Sequence, residues 1–417
     1  MTKLQGEQNP TNDVFKMGEG NPPKPLDAVK NASSRPLAGG LDTVNDLAAT
    51  STNLIATPLV NSPVLIIGAG LLGASIGLAL TRTGVQVWLE DSSPTGLELA
   101  CDLGAGQPLS AQPAPAPALV VVATPPDVAG DVVVHALRNY PGAVVTDVAS
   151  VKEPIAKCVL ERVPNLAQRY VGSHPMAGRE RSGAASARAD LFDARPWVLV
   201  ATPATSPNAL SAVRQLAIDL GALPTQLGAA EHDRAVALIS HTPQLVASAL
   251  AARLEQAPEM ALNLAGQGLR DTTRIAASDP RLWAAILNAN RSSVSQVLRE
   301  LRVDIDALIE ALEQGRGSVG TVVDVMQRGN LGRDRIPGKH GGAPSRYAEV
   351  MVLIPDAPGQ LARLFNDVGA AQVNIEDLVI EHSAGQRQGL ATLLVAPAAA
   401  VGLRQALEQQ GWKIVAN

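Results

Sequence analysis

The run Val64-Leu65-Ile66-Ile67-Gly68-Ala69-Gly70-Leu71-Leu72-Gly73 constrains this chain more than any other stretch. Four consecutive apolar residues are the pattern of a strand buried on both faces of a parallel sheet. Three glycines in the spacing GxGxxG then open an apolar helix, expected over Ala74 to Arg82 and stopped by Gly84. Each glycine has its own task. Gly68 permits a tight turn, Gly70 lets the main chain approach a pyrophosphate, and Gly73 lets helix and strand pack closely. The phosphates would sit at the positive end of the helix, with Leu71 and Leu72 in the same cofactor loop. Val85 to Leu89 reads as the next strand and completes a βαβ unit. Asp91 lies 18 residues after Gly73, where a carboxylate can accept from adenosine ribose hydroxyls and would repel a 2′-phosphate. NAD is therefore the expected cofactor, and Glu90 is placed to share the role of Asp91.

Alternation of strand and helix continues with strands expected at Leu119 to Ala123, Ala143 to Asp147, Arg169 to Ser173 and Trp197 to Ala201. This argues for a doubly wound α/β domain over residues 62–226. The four prolines between Pro108 and Pro117 make that segment a loop. From Glu231 to Glu313 the chain is almost wholly helix-forming, with apolar-periodic stretches at Arg234 to Leu254, Pro280 to Asn290 and Ser292 to Leu312. A helical domain over 227–315 with such wide apolar faces is expected to bury part of them against a second copy, as a homodimer. Residues 316–345 are rich in Gly and Arg and read as a solvated linker. Residues 346–417 follow a β-α-β-β-α-β order, a ferredoxin-like unit. Residues 1–61, rich in Asn, Pro, Gly, Ser and Thr without an apolar period, read as a disordered or loosely docked extension.

At 417 residues the chain is too long for one core, so several domains are expected. A net charge of -5 leaves no electrostatic footprint for nucleic acid or an anionic membrane, and small molecules and protein are the expected partners. The only cysteines, Cys101 and Cys158, lack metal-ligand spacing and form no disulfide framework, which suits a reducing cytoplasm and predicts no metal site. No secretory leader and no run of about eighteen apolar residues is evident.

Chemistry concentrates at the ends of strands. Val122-Ala123-Thr124 ends one on the edge that carries the glycine loop, so Thr124 borders the cofactor. Ser150-Val151-Lys152 follows Val144 to Asp147 and offers a hydroxyl and an ammonium near the nicotinamide end. Ser150 could equally cap the next helix in a capping box with Glu153. His174, in Gly172-Ser173-His174-Pro175-Met176-Ala177-Gly178, ends another strand and is followed by Arg179, Glu180 and Arg181. Such a loop is where catalytic groups sit, although a satisfied core histidine is the plainer reading. In the helical part, Arg274 in Asp271-Thr272-Thr273-Arg274 can present a bidentate fork to a carboxylate, held by Asp271, or merely pair with Asp271 on one helical face. His232 and His241 can line the same cleft.

At these residues the chain resembles the prephenate dehydrogenases, a family that includes arogenate dehydrogenases, over about residues 62–315. The resemblance rests on the dinucleotide loop with Asp91, on Ser150-Val151-Lys152 and on the run from Gly172 through His174 to Glu180. It extends through Ser240-His241-Thr242-Pro243 and from Asp271-Thr272-Thr273-Arg274 to Trp283. It implies that His174 acts on the substrate's ring hydroxyl and that Ser150 supports hydroxyl and cofactor. By the same resemblance Arg274 binds a carboxylate, with Glu180, His241, Gln244 and Trp283 around the substrate. Many prephenate-specific members carry a second histidine where this chain has Gln244, so prephenate and arogenate both stay open. Residues 346–417 resemble an ACT domain, an amino-acid-sensing module. This implies tyrosine as effector, at Asp356 and Gly359 in the first strand-to-helix turn and at Asn374 and Ile375 entering the second strand. The implied reaction is NAD-dependent oxidative decarboxylation of prephenate to 4-hydroxyphenylpyruvate in tyrosine biosynthesis. A β-hydroxyacid dehydrogenase would offer a lysine base on the helical domain, yet no lysine occurs between Glu231 and Glu313. A non-catalytic amino-acid sensor would leave His174, Ser150 and Arg274 unexplained.

Overall fold

A computed structural model describes residues 57–109, 116–178, 183–315, 319–337, 347–382 and 388–415. The expected N-terminal extension over residues 1–56 and the expected site residue Glu180 lie outside the described residues.

The apolar run before the glycine loop forms strand β1 (Val64–Ile67), buried along its whole length. Its side chains alternate between two cores. Val64 and Ile66 enter one, while Leu65 and Ile67 enter the other, as the period of two requires of a strand covered on both faces. Helix α1 (Leu71–Arg82), β2 (Val87–Glu90), α2 (Pro94–Asp102), β3 (Gln107–Pro108), β4 (Leu119–Val122), α3 (Pro126–Asn139) and β5 (Val144–Asp147) follow. Then come α4 (Glu153–Arg162), β6 (Tyr170–Pro175), β7 (Pro196–Val200), α5 (Pro207–Asp219) and β8 (Leu223–Gln226).

These eight strands form one sheet in the order β3-β2-β1-β4-β5-β6-β7-β8. The order reverses between β1 and β4, which opens a crevice at their carboxyl ends where a doubly wound fold binds its ligand. The sheet is not wholly parallel, because β7 runs antiparallel to β6 and pairs His174 with Val198. The antiparallel neighbour extends β6 to Pro175, two residues beyond the expected end, and so places His174 inside a strand.

The second, helical part begins with one continuous helical stretch, Ala229–Ala252, made of α6 (Ala229–Val236), a π-helical turn (Ala237–His241) and α7 (Thr242–Ala252). By length and composition this stretch could cross a membrane. Its polar residues His232, Asp233, His241 and Gln244 are nevertheless buried within the protein. Short helices α8 (Glu259–Leu262) and α9 (Gln267–Thr273), a 3-10 turn (Arg274–Ala276), α10 (Pro280–Ala289) and α11 (Arg291–Gln314) complete it.

The expected linker is corrected by the structure. Residues Val319–Arg333 form helix α12, in which Val319, Val322, Val323 and Met326 recur at helical spacing despite the interspersed glycines. Arg328 joins it to α11 through Asp304 at 2.7 Å and is braced by Asp324 at 2.9 Å.

The C-terminal unit runs β9 (Ala348–Pro355), α13 (Gln360–Ala370), β10 (Asp377–His382), β11 (Gln388–Val395), α14 (Pro397–Gln409), β12 (Lys413–Val415). Its four strands form an antiparallel sheet in the order β10-β11-β9-β12, over a core that includes Val350, Val352, Leu364, Leu393 and Leu403. The second strand begins at Asp377. Asn374 and Ile375 therefore belong to the preceding loop, where the Asn374 amide donates to Glu376 at 2.8 Å.

Candidate active site

The turn after β1 is built so that only glycine fits at two of its positions. Gly68 has φ +105°, and a Cβ there would lie 2.5 Å from the carbonyl oxygen of Ala123; a Cβ on Gly73 would lie 1.8 Å from that of Gly68. At Gly70 the same construction meets nothing within 4 Å, so the backbone faces open space. Gly70 also caps α1 without any side-chain acceptor, which leaves first-turn N–H groups for an anion. Thr124 Oγ1, buried at the end of the neighbouring strand, has no hydrogen-bond partner among the described residues. Asp91 accepts from Ala69 N at 2.6 Å and from Ser93 N at 2.7 Å. It therefore ties the loop to the end of β2, and a carboxylate with two such bonds keeps lone pairs for ribose hydroxyls. Beside it lies a pocket of about 260 Å³ lined by Leu89, Glu90, Asp91, Leu97 and Leu109. Open backbone over a helix start, an orphaned hydroxyl and an acidic, apolar-walled pocket together suit a dinucleotide.

Farther along the same carboxyl edge, β6 carries His174. Its Nδ1 lies 2.9 Å from Nε2 of His232 on α6, and the rings meet edge to face. His232 Nδ1 lies 2.7 Å from Asp233 Oδ1. Asp233 also accepts from Lys152 N at 2.8 Å and Glu153 N at 2.9 Å. This overturns the capping reading of Ser150. Helix α4 starts at Glu153 with no local side-chain cap, and the carboxylate that accepts its leading N–H groups comes from the helical part. Ser150 itself stays partly exposed at the carboxyl end of β5.

Behind His174 is a fully buried polar cluster. Lys152 Nζ pairs with Asp147 and donates to the Ser173 carbonyl at 2.7 Å, while the Tyr170 hydroxyl donates to Asp147 at 2.8 Å. Burial pulls the Lys152 ammonium below its ordinary value against the pull of Asp147, and it pushes the Tyr170 phenol well up. Burial likewise holds His174 well below 6.5, reinforced by His232, Lys152 and His241.

The chain of contacts continues into the helical part. Asn290 donates to the Asp233 carbonyl at 2.7 Å and lies 3.1 Å from His241 Nδ1. His241 packs edge to face on Trp283, and burial lowers its pKa to about 4. It sits at the end of the π-helical turn, a feature frequent at functional sites. Gln244 is buried and donates to the Ile275 carbonyl at 2.9 Å, anchoring the turn that presents the exposed Arg274. Asp271 accepts from Gln267 at 2.7 Å along α9.

Sequence reasoning singled out His174, His232 and His241. It missed Asp233 on α6 and Asn290 at the junction of α10 and α11.

In the C-terminal unit Asp356 and Gly359 line a pocket of about 380 Å³ with Ile380 and Gly389, while Asn374 and Ile375 lie outside that lining.

A dinucleotide cradle and a histidine chain that spans two domains along one sheet edge make this a nicotinamide-type dehydrogenase with a helical second domain. Comparison narrows the class. Residues 76–224 match the nucleotide-binding domain of prephenate dehydrogenase, and residues 228–328 match its dimerization domain. The chain is 36% identical over 357 residues, 84% of its length and 98% of its relative, to the probable prephenate dehydrogenase NovF of Streptomyces niveus. Among solved structures, prephenate dehydrogenase from A. aeolicus, in complex with hydroxyphenyl propionate and NAD+, is 28% identical with a TM-score of 0.58, covering 66% of this chain and 99% of that one. Synechocystis arogenate dehydrogenase is 30% identical with a TM-score of 0.54, over 65% and 99%. The chain belongs to the prephenate dehydrogenase family, and it is an NAD-dependent oxidoreductase.

Proposed function

We propose that the chain carries out the NAD-dependent oxidative decarboxylation of prephenate to 4-hydroxyphenylpyruvate, with His174 as the base. The observation that carries this reading is the placement of His174 on the carboxyl edge of the sheet, which it shares with the glycine loop, Thr124 and Ser150. Gly68, Gly70, Leu71, Leu72, Gly73, Asp91 and Thr124 would hold the cofactor, which when bound supplies the hydride acceptor. His174 takes the proton of the ring hydroxyl, so that developing alkoxide character expels the hydride and carbon dioxide leaves as the ring becomes aromatic. A ring held well below 6.5 is neutral at neutral pH, with one nitrogen bare and ready for that role. Ser150 supports the hydroxyl from the end of β5. Arg274 binds a substrate carboxylate, with Glu180, His241, Gln244 and Trp283 completing the surroundings. Orientation by such groups brings the reacting carbon to the cofactor.

A second reading, arogenate dehydrogenase, is favoured by Gln244, which stands where many prephenate-specific members carry a histidine. The C-terminal unit is read as an ACT domain that takes tyrosine at the pocket lined by Asp356 and Gly359. Its strand order and that pocket support the reading. Exposed apolar side chains on the helical part, among them Leu238, Ile239, Val303, Leu312 and Met326, support a homodimer.

Initial rates with prephenate and with arogenate, each with NAD and NADP and with or without tyrosine, test all of this. NADH formation with prephenate, slowed by tyrosine, is the expected result. No NADH with either substrate would overturn the enzymatic reading.

A further inference from the structure

The structure places a second histidine and a carboxylate directly behind His174, and their hydrogen bonds determine which nitrogen of His174 is free. Asp233 accepts three N–H groups, from Lys152 N and His232 Nδ1 on Oδ1 and from Glu153 N on Oδ2. An ionised carboxylate offers no proton, so His232 Nδ1 must be the donor at 2.7 Å. A His232 ring whose single hydrogen sits on Nδ1 presents Nε2 as a lone pair. The 2.9 Å contact to His174 Nδ1 requires that Nδ1 carry the hydrogen. Only Nε2 of His174 is left proton-free.

We infer that His232 and Asp233 are positioning residues that hold His174 as its Nδ1–H tautomer, with Nε2 presented as the acceptor for the substrate's hydroxyl proton. This rests on the reading of His174 as the base and deepens it. When Nε2 takes the proton, the imidazolium keeps its Nδ1–H on His232, whose own N–H stays on Asp233. No proton passes between the rings. If His232 were itself protonated, its Nε2–H would point at His174 Nδ1, and the remaining proton of His174 would sit on Nε2. The ring would then face the substrate as a donor.

The surroundings keep this arrangement in register. Asp233 is held from behind by Asn290, which donates to its carbonyl at 2.7 Å, and from the front by the start of α4. The tautomer is thus tied to how the helical part docks on the nucleotide-binding domain. The other titratable groups that face the pair are Lys152, Asp147 and Tyr170 from the sheet side and His241 from the helical side. Lys152 is spoken for by Asp147 and the Ser173 carbonyl.

The test uses the full chain labelled with ¹⁵N-histidine, with the His174 signals assigned as those lost in His174→Gln. Long-range ¹H–¹⁵N correlation of the wild type should show His174 protonated at Nδ1 and bare at Nε2. In His232→Leu it should show the opposite tautomer, with kcat down about 100-fold and KM within about two-fold, the pattern of a mispresented base. His232→Gln, which keeps an acceptor for the Nδ1–H, should recover about ten-fold of the lost kcat. Wild-type His174 protonated at Nε2 would overturn the inference, and so would a folded His232→Leu with wild-type kcat. Because the wild-type tautomer is read without any variant at position 232, a His232→Leu chain that fails to fold leaves the inference testable. Near-normal turnover in His174→Ala would remove the base reading while the tautomer measurement still stands or falls on its own.

Discussion

His174 and His241 are neutral for the same main reason: burial disfavours the charged ring, reinforced at His174 by His232, Lys152 and His241 and at His241 prevailing over the pull of Asp233. For His174 the consequence is kinetic. An ordinary histidine base would lose activity below about pH 6.5. With its pKa held well below that, the acid limb of kcat/KM should fall at lower pH than an unperturbed ring would give. A limb at or above pH 6.5 would argue for another base. His174→Ala should lower kcat by about 10²- to 10⁴-fold with little change in substrate binding, whereas Arg274→Ala should chiefly raise KM. For His241 the consequence is stability. Its folded pKa of about 4 lies below its unfolded value of 6.5, so between those limits the unfolded chain binds a proton that the native state does not. Stability therefore falls as pH falls through this window, by about 3 kcal/mol from this ring alone. Urea unfolding at pH 7 and pH 4.5 should show a smaller drop for His241→Asn than for the wild type. Equal drops would mean that His241 is charged in the native state.

At the scale of elements, α4 is the instructive case. Its sequence start, Ser150-Val151-Lys152-Glu153, has the spacing of a local capping box. The chain instead spends its cap across domains, on Asp233 of α6. Asp233→Ala should therefore destabilise the protein by about 2 kcal/mol, more than an exposed cap residue typically costs, because it strands buried N–H groups as well. Chemical unfolding measures this directly, and a change below about 0.5 kcal/mol would count against the cap. Helix α12 makes a complementary point. Its glycines and arginines read as a solvated linker, yet the bridge from Arg328 to Asp304 ties it to α11 while Val319, Val323 and Met326 stay exposed. A composition signal was outweighed by a tertiary partner.

For the whole molecule, the helical part leaves large apolar side chains in water: Leu238 and Ile239 on the π-helical turn, and Val303 and Leu312 on α11. Together with the match of residues 228–328 to a dimerization domain, this leads to the expectation of a dimer. Sedimentation at micromolar concentration should give twice the chain mass of 43.2 kDa. Replacing both Leu238 and Ile239 with Glu should shift it toward the monomer, and an unchanged dimer would place the interface elsewhere.

Much of this molecule was legible in its residues. The glycine loop, the alternation of buried strands and helices, the helical stretch and the final β-α-β-β-α-β order are local patterns, because period and turn chemistry act within a few residues of chain. His174, Asp91 and Thr124 were legible for the same reason, as polar residues at the ends of apolar strands. What sequence order could not reveal was pairing between distant segments. The antiparallel β7 beside His174 is a pairing within the sheet, whereas the union of His174 with His232, Asp233 and Asn290 and the cross-domain cap of α4 arise only when two domains bring their polar groups into one buried place. There each donor and acceptor must find a partner or be left stranded away from water. That requirement leaves His174 with one particular nitrogen free.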